Sequence, residues 1–165
     1  MYRQIKNLER RLSWFNREAV TNDLFQEIID KEGLDYYLYP FTDPIEGFYF
    51  KSKSGPAIGI NDRLSYPDRE IVSCRELGHH FLSHLNGFVL EAESPDLMPL
   101  FEYETKIFGA LCLIPTPILE KEKDDALAEW PVEFRRFRWA VYQAYKGGYA
   151  KNYAKNRQKD RYLTV

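Results

Sequence analysis

All three histidines of the chain fall within twelve residues, SCRELGHHFLSH at 73–84, and this stretch carries the residue types of a metal-dependent hydrolase. In the zinc-peptidase pattern H-E-x-x-H, two histidines four residues apart lie on one face of a helix and bind the ion, and the glutamate activates a metal-bound water. Glu76 stands at the position of that glutamate, and His79 stands at the position of the second histidine. The motif therefore predicts Glu76 as a catalytic base and His79 as a metal ligand.

The first ligand position of the motif holds Arg75 instead of histidine. A guanidinium group stays protonated and has no acceptor atom, so it cannot bind zinc. Three arrangements remain open. His80 could complete the ligand set, or Glu76 could itself become a ligand together with His80. Alternatively, Arg75 could fill the position of the ion, with its charge neutralised by Glu102 and Glu104, and the peptidase chemistry would then be lost.

The elements that would position these residues follow from the spacing of apolar residues and from turn signals. Residues 9–33 read as one helix that Gly33 ends, and Thr21 or Asn22 could cap its main part. Three short strands separated by prolines and glycines then predict a small antiparallel sheet. Further helices are predicted from Tyr66 or Pro67 to about Leu85, from Leu100 to Ile114, and from Trp130-Pro131 to about Gly147. The predicted class is α+β.

Length and composition describe one domain of 165 residues with 44% hydrophobic content, enough for a core. The ends are basic: residues 135–165 carry nine Lys/Arg and one acid, and residues 1–17 carry five and one, which leaves residues 18–134 with a net charge of −14. The charged N-terminus does not resemble a secretory signal, no apolar run is long enough for a membrane span, and the two cysteines are too few for a disulfide framework. We therefore expect a cytoplasmic protein without a membrane partner.

Four motifs in this order resemble the ImmA/IrrE-type metallopeptidases of phages, mobile elements and bacteria over roughly residues 20–118. They are a tyrosine-rich strand with a hairpin, an IGIN strand, the helix motif RELGHH, and a helix that ends in L-I-P. In this chain they correspond to Tyr39-Pro40-Phe41 with Pro44-Ile45 and Gly47-Phe48-Tyr49, to Ile58–Asn61, to 75–80, and to Glu102 through Pro115. The resemblance implies a zincin-like fold, in which a small antiparallel three-stranded sheet packs with an active-site helix and further helices.

The resemblance also implies a division of the chain and a set of site residues. It suggests an N-terminal basic helical segment (1–18), a metallopeptidase domain (19–118) and a C-terminal helical extension with a basic tail (119–165). The family's third metal ligand corresponds to Glu102, beside His79 and, less directly, His80, and Glu104 is the alternative. An extended substrate could lie along the edge of the sheet near Gly47, Phe48 and Tyr49.

Two functions follow as expectations. The first is a zinc endopeptidase that acts on a DNA-binding repressor of a phage or mobile element and thereby derepresses the element. The second is a zincin-like protein without catalysis that binds and antagonises a repressor or another regulator, and Arg75 and the basic ends favour it. Direct nucleic-acid binding is a weaker hypothesis, because the sequence has no helix-turn-helix signal and no zinc-finger spacing.

Overall fold

In the computed structural model, residues 2–42, 44–84 and 95–160 are described, and they form six α-helices and one three-stranded sheet. The elements in chain order are α1 (Tyr2–Arg11), α2 (Asn22–Glu32), β1 (Asp35–Tyr39), β2 (Gly47–Ser52), β3 (Gly55–Asn61), α3 (Tyr66–Phe81), α4 (Met98–Leu113), α5 (Thr116–Glu122) and α6 (Val132–Asp160). Short 3-10 turns lie at Pro95–Leu97 and Asp125–Leu127. The predicted α+β class is confirmed.

The sheet is mixed, so the prediction of an antiparallel sheet was wrong. Its strand order is β1-β3-β2: β2 and β3 form an antiparallel hairpin, and β1 pairs with β3 in parallel, with Asp35 opposite Ala57 and Tyr39 opposite Asn61. Turn signals in the sequence mark where strands end, but they do not state which strand comes next in the sheet. The result is that β2 is an edge strand, with its outer edge free of other described strands.

Asn61, the last residue of β3, holds the connection that leads from β1 to β2 on the other side of β3. Its side-chain amide is buried and donates hydrogen bonds to the carbonyls of Phe41 (3.2 Å) and Ile45 (2.8 Å), and its backbone N–H donates to the carbonyl of Glu46 (2.8 Å). The connection between β1 and β2 is thereby held across the end of β3. This arrangement fixes the position of Glu46, which directly precedes the edge strand β2.

The N-terminal region contains two helices, so the prediction of one helix over residues 9–33 was wrong. Helix α1 ends at Arg11 and helix α2 begins at Asn22, and between them Asn16 adopts a left-handed backbone with φ of 54°. The buried Asn16 side chain accepts a hydrogen bond from Thr116 N–H (2.7 Å) and donates one to Glu9 (2.7 Å), contacts that a continuous helix does not provide. The predicted caps of α2 are confirmed: Thr21 accepts from Leu24 N–H, and Gly33 has φ of 62°.

Among the helices that the structure describes, α3 and α4 pack against each other most extensively. A Cβ atom added at Gly78 would lie 3.2 Å from Phe108 Cβ, and one added at Gly109 would lie 3.3 Å from the backbone nitrogen of Arg75. Two glycines facing the partner helix thus allow the backbones to approach. Helix α3 begins where it was predicted but ends at Phe81, before Ser83 takes a positive φ of 57°. The predicted end at Leu85 lies outside the described residues.

The core joins the central helices to the N-terminal helix α1 and to the first part of α6. Phe15 and Phe108 stack at 4.9 Å between ring centroids, and Ile5 and Val141 also belong to the buried cluster. The long helix α6, which was predicted to end near Gly147, runs to Asp160. The division into 1–18, 19–118 and 119–165 stays a prediction. Within the described residues, no helix has the length and apolarity required to cross a bilayer.

Candidate active site

Arg75 lies at the centre of the candidate site and pairs with two carboxylates. Its Nε and Nη2 donate to Glu76 Oε1 at 3.2 and 3.1 Å, and its Nη1 donates to Glu46 Oε2 at 3.1 Å. The Arg75 side chain is 17% exposed and that of Glu76 only 5%, whereas Glu46 is 54% exposed. The guanidinium therefore links a buried carboxylate on α3 to an exposed carboxylate directly before the edge strand β2.

This pairing differs from the one expected from the sequence. One of the three arrangements left open by the sequence had Glu102 and Glu104 neutralise Arg75, but its hydrogen bonds go to Glu76 and Glu46. Glu102 remains close enough for its charge to act on Arg75. Helical spacing did not suggest Glu76 as a partner, because adjacent residues of a helix point in different directions. Glu46 is 29 residues away in the sequence and could not be found without the path of the β1–β2 connection.

His79 lies beside Arg75 on the same side of α3 and contacts the other candidate residues. Its Nε2 is 3.7 Å from Glu102 Oε1 and 4.0 Å from Glu76 Oε2, and its Nδ1 is 3.2 Å from His84 Nδ1. The fold therefore brings together Glu76, His79 and Glu102, three of the residues that the sequence predicted to share a site. Arg75 is the fourth member of this group.

Burial and charge act in opposite directions on this group. Burial raises the pKa of Glu76, and although the charges of Arg75 and His79 oppose that effect, the pKa stays above its usual value. Burial acts to lower the pKa of Arg75, but the charges of Glu76, Glu102 and Glu46 outweigh it and raise the pKa. The hydrogen bond from His79 holds the pKa of Glu102 below its usual value. Arg75 is thus a permanent cation, stabilised by the surrounding carboxylates.

His80, the less direct ligand candidate, is turned away from this group. Its Nε2 lies 3.1 Å from Glu32 Oε2 at the end of α2, and its Nδ1 lies 3.3 Å from Tyr49 Oη on β2. These contacts tie α2, α3 and β2 together. Both ring nitrogens are engaged there, away from His79 and Glu102, and the role of His80 as a metal ligand stays a prediction.

His84 and Glu104 form a second pair behind His79. His84 Nε2 lies 3.2 Å from Glu104 Oε2, and the imidazole stacks on Phe101 at 4.0 Å between ring centroids. Burial lowers the pKa of His84 to about 4, so its ring is neutral at physiological pH. Glu104, the alternative third ligand, is therefore engaged with His84 and not directed at His79.

The three residues predicted to bind substrate lie on the edge strand β2. Tyr49 is buried, and its ring lies parallel to that of His79, 6.4 Å away. Gly47 contacts α3 closely, since a Cβ atom there would lie 2.7 Å from Val72. Phe48 packs against Phe41 on the other face of the sheet, over Gly59. The role of these residues in substrate binding stays a prediction, but Tyr49 and Gly47 do line the side of β2 that faces α3.

The residues present do not fit a catalytic zinc ion. Such a site requires three protein ligands around an open position. His79 and Glu102 could supply two, but the position of the first histidine is taken by a guanidinium whose positive charge repels a divalent cation. In the parts of the chain that the structure describes, no group of three or more His, Cys, Asp or Glu side chains is arranged to hold a metal ion.

The comparisons with known proteins give one family. The model of the IrrE N-terminal-like domain matches residues 31–135, a span that includes the sheet, α3 and α4 with all the candidate residues, and the first turn of α6. No curated protein and no solved structure matches the chain. Since the match covers well over half of the chain, this protein belongs to the ImmA/IrrE family of metallopeptidase-like proteins, with an arginine at the position of the first metal ligand.

Proposed function

We propose that this protein is a member of the IrrE-type family that binds and antagonises a DNA-binding regulator without cleaving it. The observation that carries the proposal is the position of Arg75. In a family that is generally zinc-dependent, its guanidinium occupies the first ligand position and forms ion pairs with Glu76 and Glu46. A fixed cation of the protein replaces the charge that a metal would supply.

The engagement of Glu76 supports the loss of peptidase chemistry independently of the ligand count. A general base must be free to accept a proton from the attacking water. Glu76 Oε1 accepts two N–H groups of Arg75, and the carboxylate is 5% exposed. A carboxylate held in this way has one oxygen occupied and little access to water. Neither the metal ion nor the general base that the hydrolytic reaction requires is then available.

A binding role needs only the features that remain. The edge strand β2 offers backbone groups to an added strand, and three carboxylates, Glu46, Glu76 and Glu102, surround the single guanidinium of Arg75 near its start. The net charge of −14 over residues 18–134 extends this acidity to the body of the protein. A regulator that binds DNA presents a basic surface, so the charges are complementary. The family resemblance suggests that the regulator is a repressor of a phage or mobile element.

Cleavage of such a repressor was the first expectation from the sequence, and it defines the alternative outcome. It would require a ligand that moves past Arg75 to complete the set begun by His79 and Glu102. The same displacement would have to release Glu76. The two functions therefore differ in a measurable quantity, the zinc content of the chain.

The test is elemental analysis of protein purified without a histidine tag or chelator and then incubated with excess zinc. We expect no stoichiometric zinc in the wild type and about one zinc per chain in Arg75→His, because that change supplies the missing imidazole beside His79 and Glu102. Arg69→His, six residues earlier on the same helix, is the matched control and should bind none. Stoichiometric zinc in the wild type that is lost in His79→Ala would refute the proposal.

A further inference from the structure

A cavity of about 380 Å³ lies beside the candidate site, between α3, α4 and the start of α6. Its wall is largely apolar and is formed by Ile71, Ala110, Pro131, Phe134 and Phe137. Arg75 belongs both to this cavity, as one of its lining residues, and to the candidate site, where its guanidinium pairs with Glu46 and Glu76. Concave sites of this size with apolar walls and a few polar groups are typical of binding sites.

The cavity is formed in the absence of any partner. Phe134 is 8% exposed and packs against Trp130, and Phe137 contacts the ring of Tyr103 edge to face at 6.0 Å between centroids. The two aromatic walls are therefore held by contacts of their own. A ligand would not need to order them, which removes one cost of binding.

The size and the charges of the cavity define its occupant. An engineered cavity of about 150 Å³ already holds a benzene molecule, so this cavity can accept one large aliphatic or aromatic side chain. Two acids, Asp68 and Glu133, and two cations, Arg75 and Lys106, line the cavity. Two further carboxylates, Glu46 and Glu102, lie beside Arg75 and are 54% and 37% exposed. Acidic groups thus outnumber cationic ones around the opening, and a basic segment is favoured.

We propose that this cavity is an anchor site for a single large apolar side chain on a basic segment of the protein partner. The proposal rests on the binding function proposed above and locates where that partner is held. A segment that adds to β2 would pass Arg75 and could place one side chain between α3 and α6. Affinity would then depend on the size of that side chain, and the flanking basic residues would pair with the acidic rim.

The probes are capped tripeptides: Lys-Leu-Lys, Lys-Ala-Lys and Glu-Leu-Glu, each acetylated and amidated. Dissociation constants and binding positions come from chemical-shift titrations of the full chain. We expect the leucine peptide to bind at least about tenfold more tightly than the alanine peptide, because the cavity buries the whole isobutyl group. The shifts should centre on the methyl groups of Ile71 and Ala110, and the acidic peptide should bind most weakly.

Phe137→Ala removes one aromatic wall and should abolish the preference for leucine over alanine. Tyr142→Ala is the matched control: it is a half-buried aromatic residue on the same helix that does not line the cavity, and it should leave the preference unchanged. Ile71→Ala on the opposite wall gives a second variant in case Phe137→Ala does not fold. A preference that survives both wall variants would overturn the proposal.

The wild-type series separates this inference from the proposed function. Equal affinity for the leucine and alanine peptides, or shifts that centre elsewhere on the chain, would overturn the cavity as an anchor site. Mass spectrometry of the same samples with zinc reports cleavage. Cleaved peptide together with an intact leucine preference would refute the binding-only function and leave the anchor site standing.

Discussion

Removal of Arg75 tests whether the ion pair with Glu76 stabilises the fold in place of a metal. In Arg75→Ala the carboxylate of Glu76, which is 5% exposed in the wild type, would lose the guanidinium that now donates two hydrogen bonds to it. Breaking a buried ion pair by removing one partner lowers the free energy of unfolding by about 3–5 kcal/mol. We expect a value near the lower end, about 3 kcal/mol at pH 8, because Glu76 can escape part of the penalty by taking up a proton.

The pH dependence has a definite sign. The pKa of Glu76 is already raised in the folded protein, chiefly by burial, and Arg75 and His79 oppose that rise. Without Arg75 the pKa of Glu76 rises further, so the stability gained from proton uptake is present at low pH and is lost as the pH increases through the folded-state pKa. Glu46 and Glu102, the other carboxylates facing Arg75, add to the repulsion when ionised. The loss of unfolding free energy in Arg75→Ala should therefore be smaller near pH 5 than at pH 8.

The assay is urea denaturation at the two pH values, followed by tryptophan fluorescence. Trp14, one of the three tryptophans, packs against Phe81 and Phe108 and reports on the core. Arg69→Ala is the matched control, because the Arg69 guanidinium donates to the backbone carbonyls of Asp62 and Leu64, which do not titrate. The stability lost in Arg69→Ala should therefore be the same at the two pH values. The double variant Arg75→Ala/Glu76→Gln should be more stable than Arg75→Ala at pH 8. The reasoning would be refuted if Arg75→Ala lost the same stability at both pH values, or if the double variant were no more stable than Arg75→Ala at pH 8.

Two further predictions concern the framework of the site. Gly78→Ala should destabilise the fold by about 1–2 kcal/mol in urea denaturation, because the new methyl group would lie 3.1–3.3 Å from Phe108 and its overpacking exceeds the gain in helix propensity. Gly147→Ala on α6, where a Cβ atom meets nothing within 4 Å, should be neutral or stabilising, and the opposite order would contradict the role of Gly78 in the α3–α4 contact. Asn61→Ala should cost about 2 kcal/mol, since the carbonyls of Phe41 and Ile45 lose their donor. Asn22→Ala, which removes one exposed hydrogen bond to Tyr66, is the control, and an equal effect of the two changes on the urea midpoint would show that Asn61 does not hold the connection.

Local patterns in the sequence were sufficient for most elements and for the candidate residues on α3 and α4. The caps of α2, the start of α3 and the class of the fold could be predicted because they depend on residues a few positions apart. The helix break near Asn16 could not, because its left-handed backbone is stabilised by hydrogen bonds to Thr116, 100 residues away, and to Glu9. The parallel pairing of β1 with β3 also depends on a distant contact, the side chain of Asn61 on the β1–β2 connection.

The sequence by itself determined the chemical character of the site. An arginine at position 75 has no lone pair for a metal at any accessible pH, whatever the fold around it. The four-residue spacing places Arg75 and His79 on one face of a helix for the same local reason. Only the tertiary structure decided the partners: Glu46 and Glu76 for Arg75, Glu102 for His79, Glu32 for His80 and Glu104 for His84. The helical period fixes which way a side chain points, but which carboxylate it meets depends on how β2, α2 and α4 pack around α3, and that packing is a property of the whole chain.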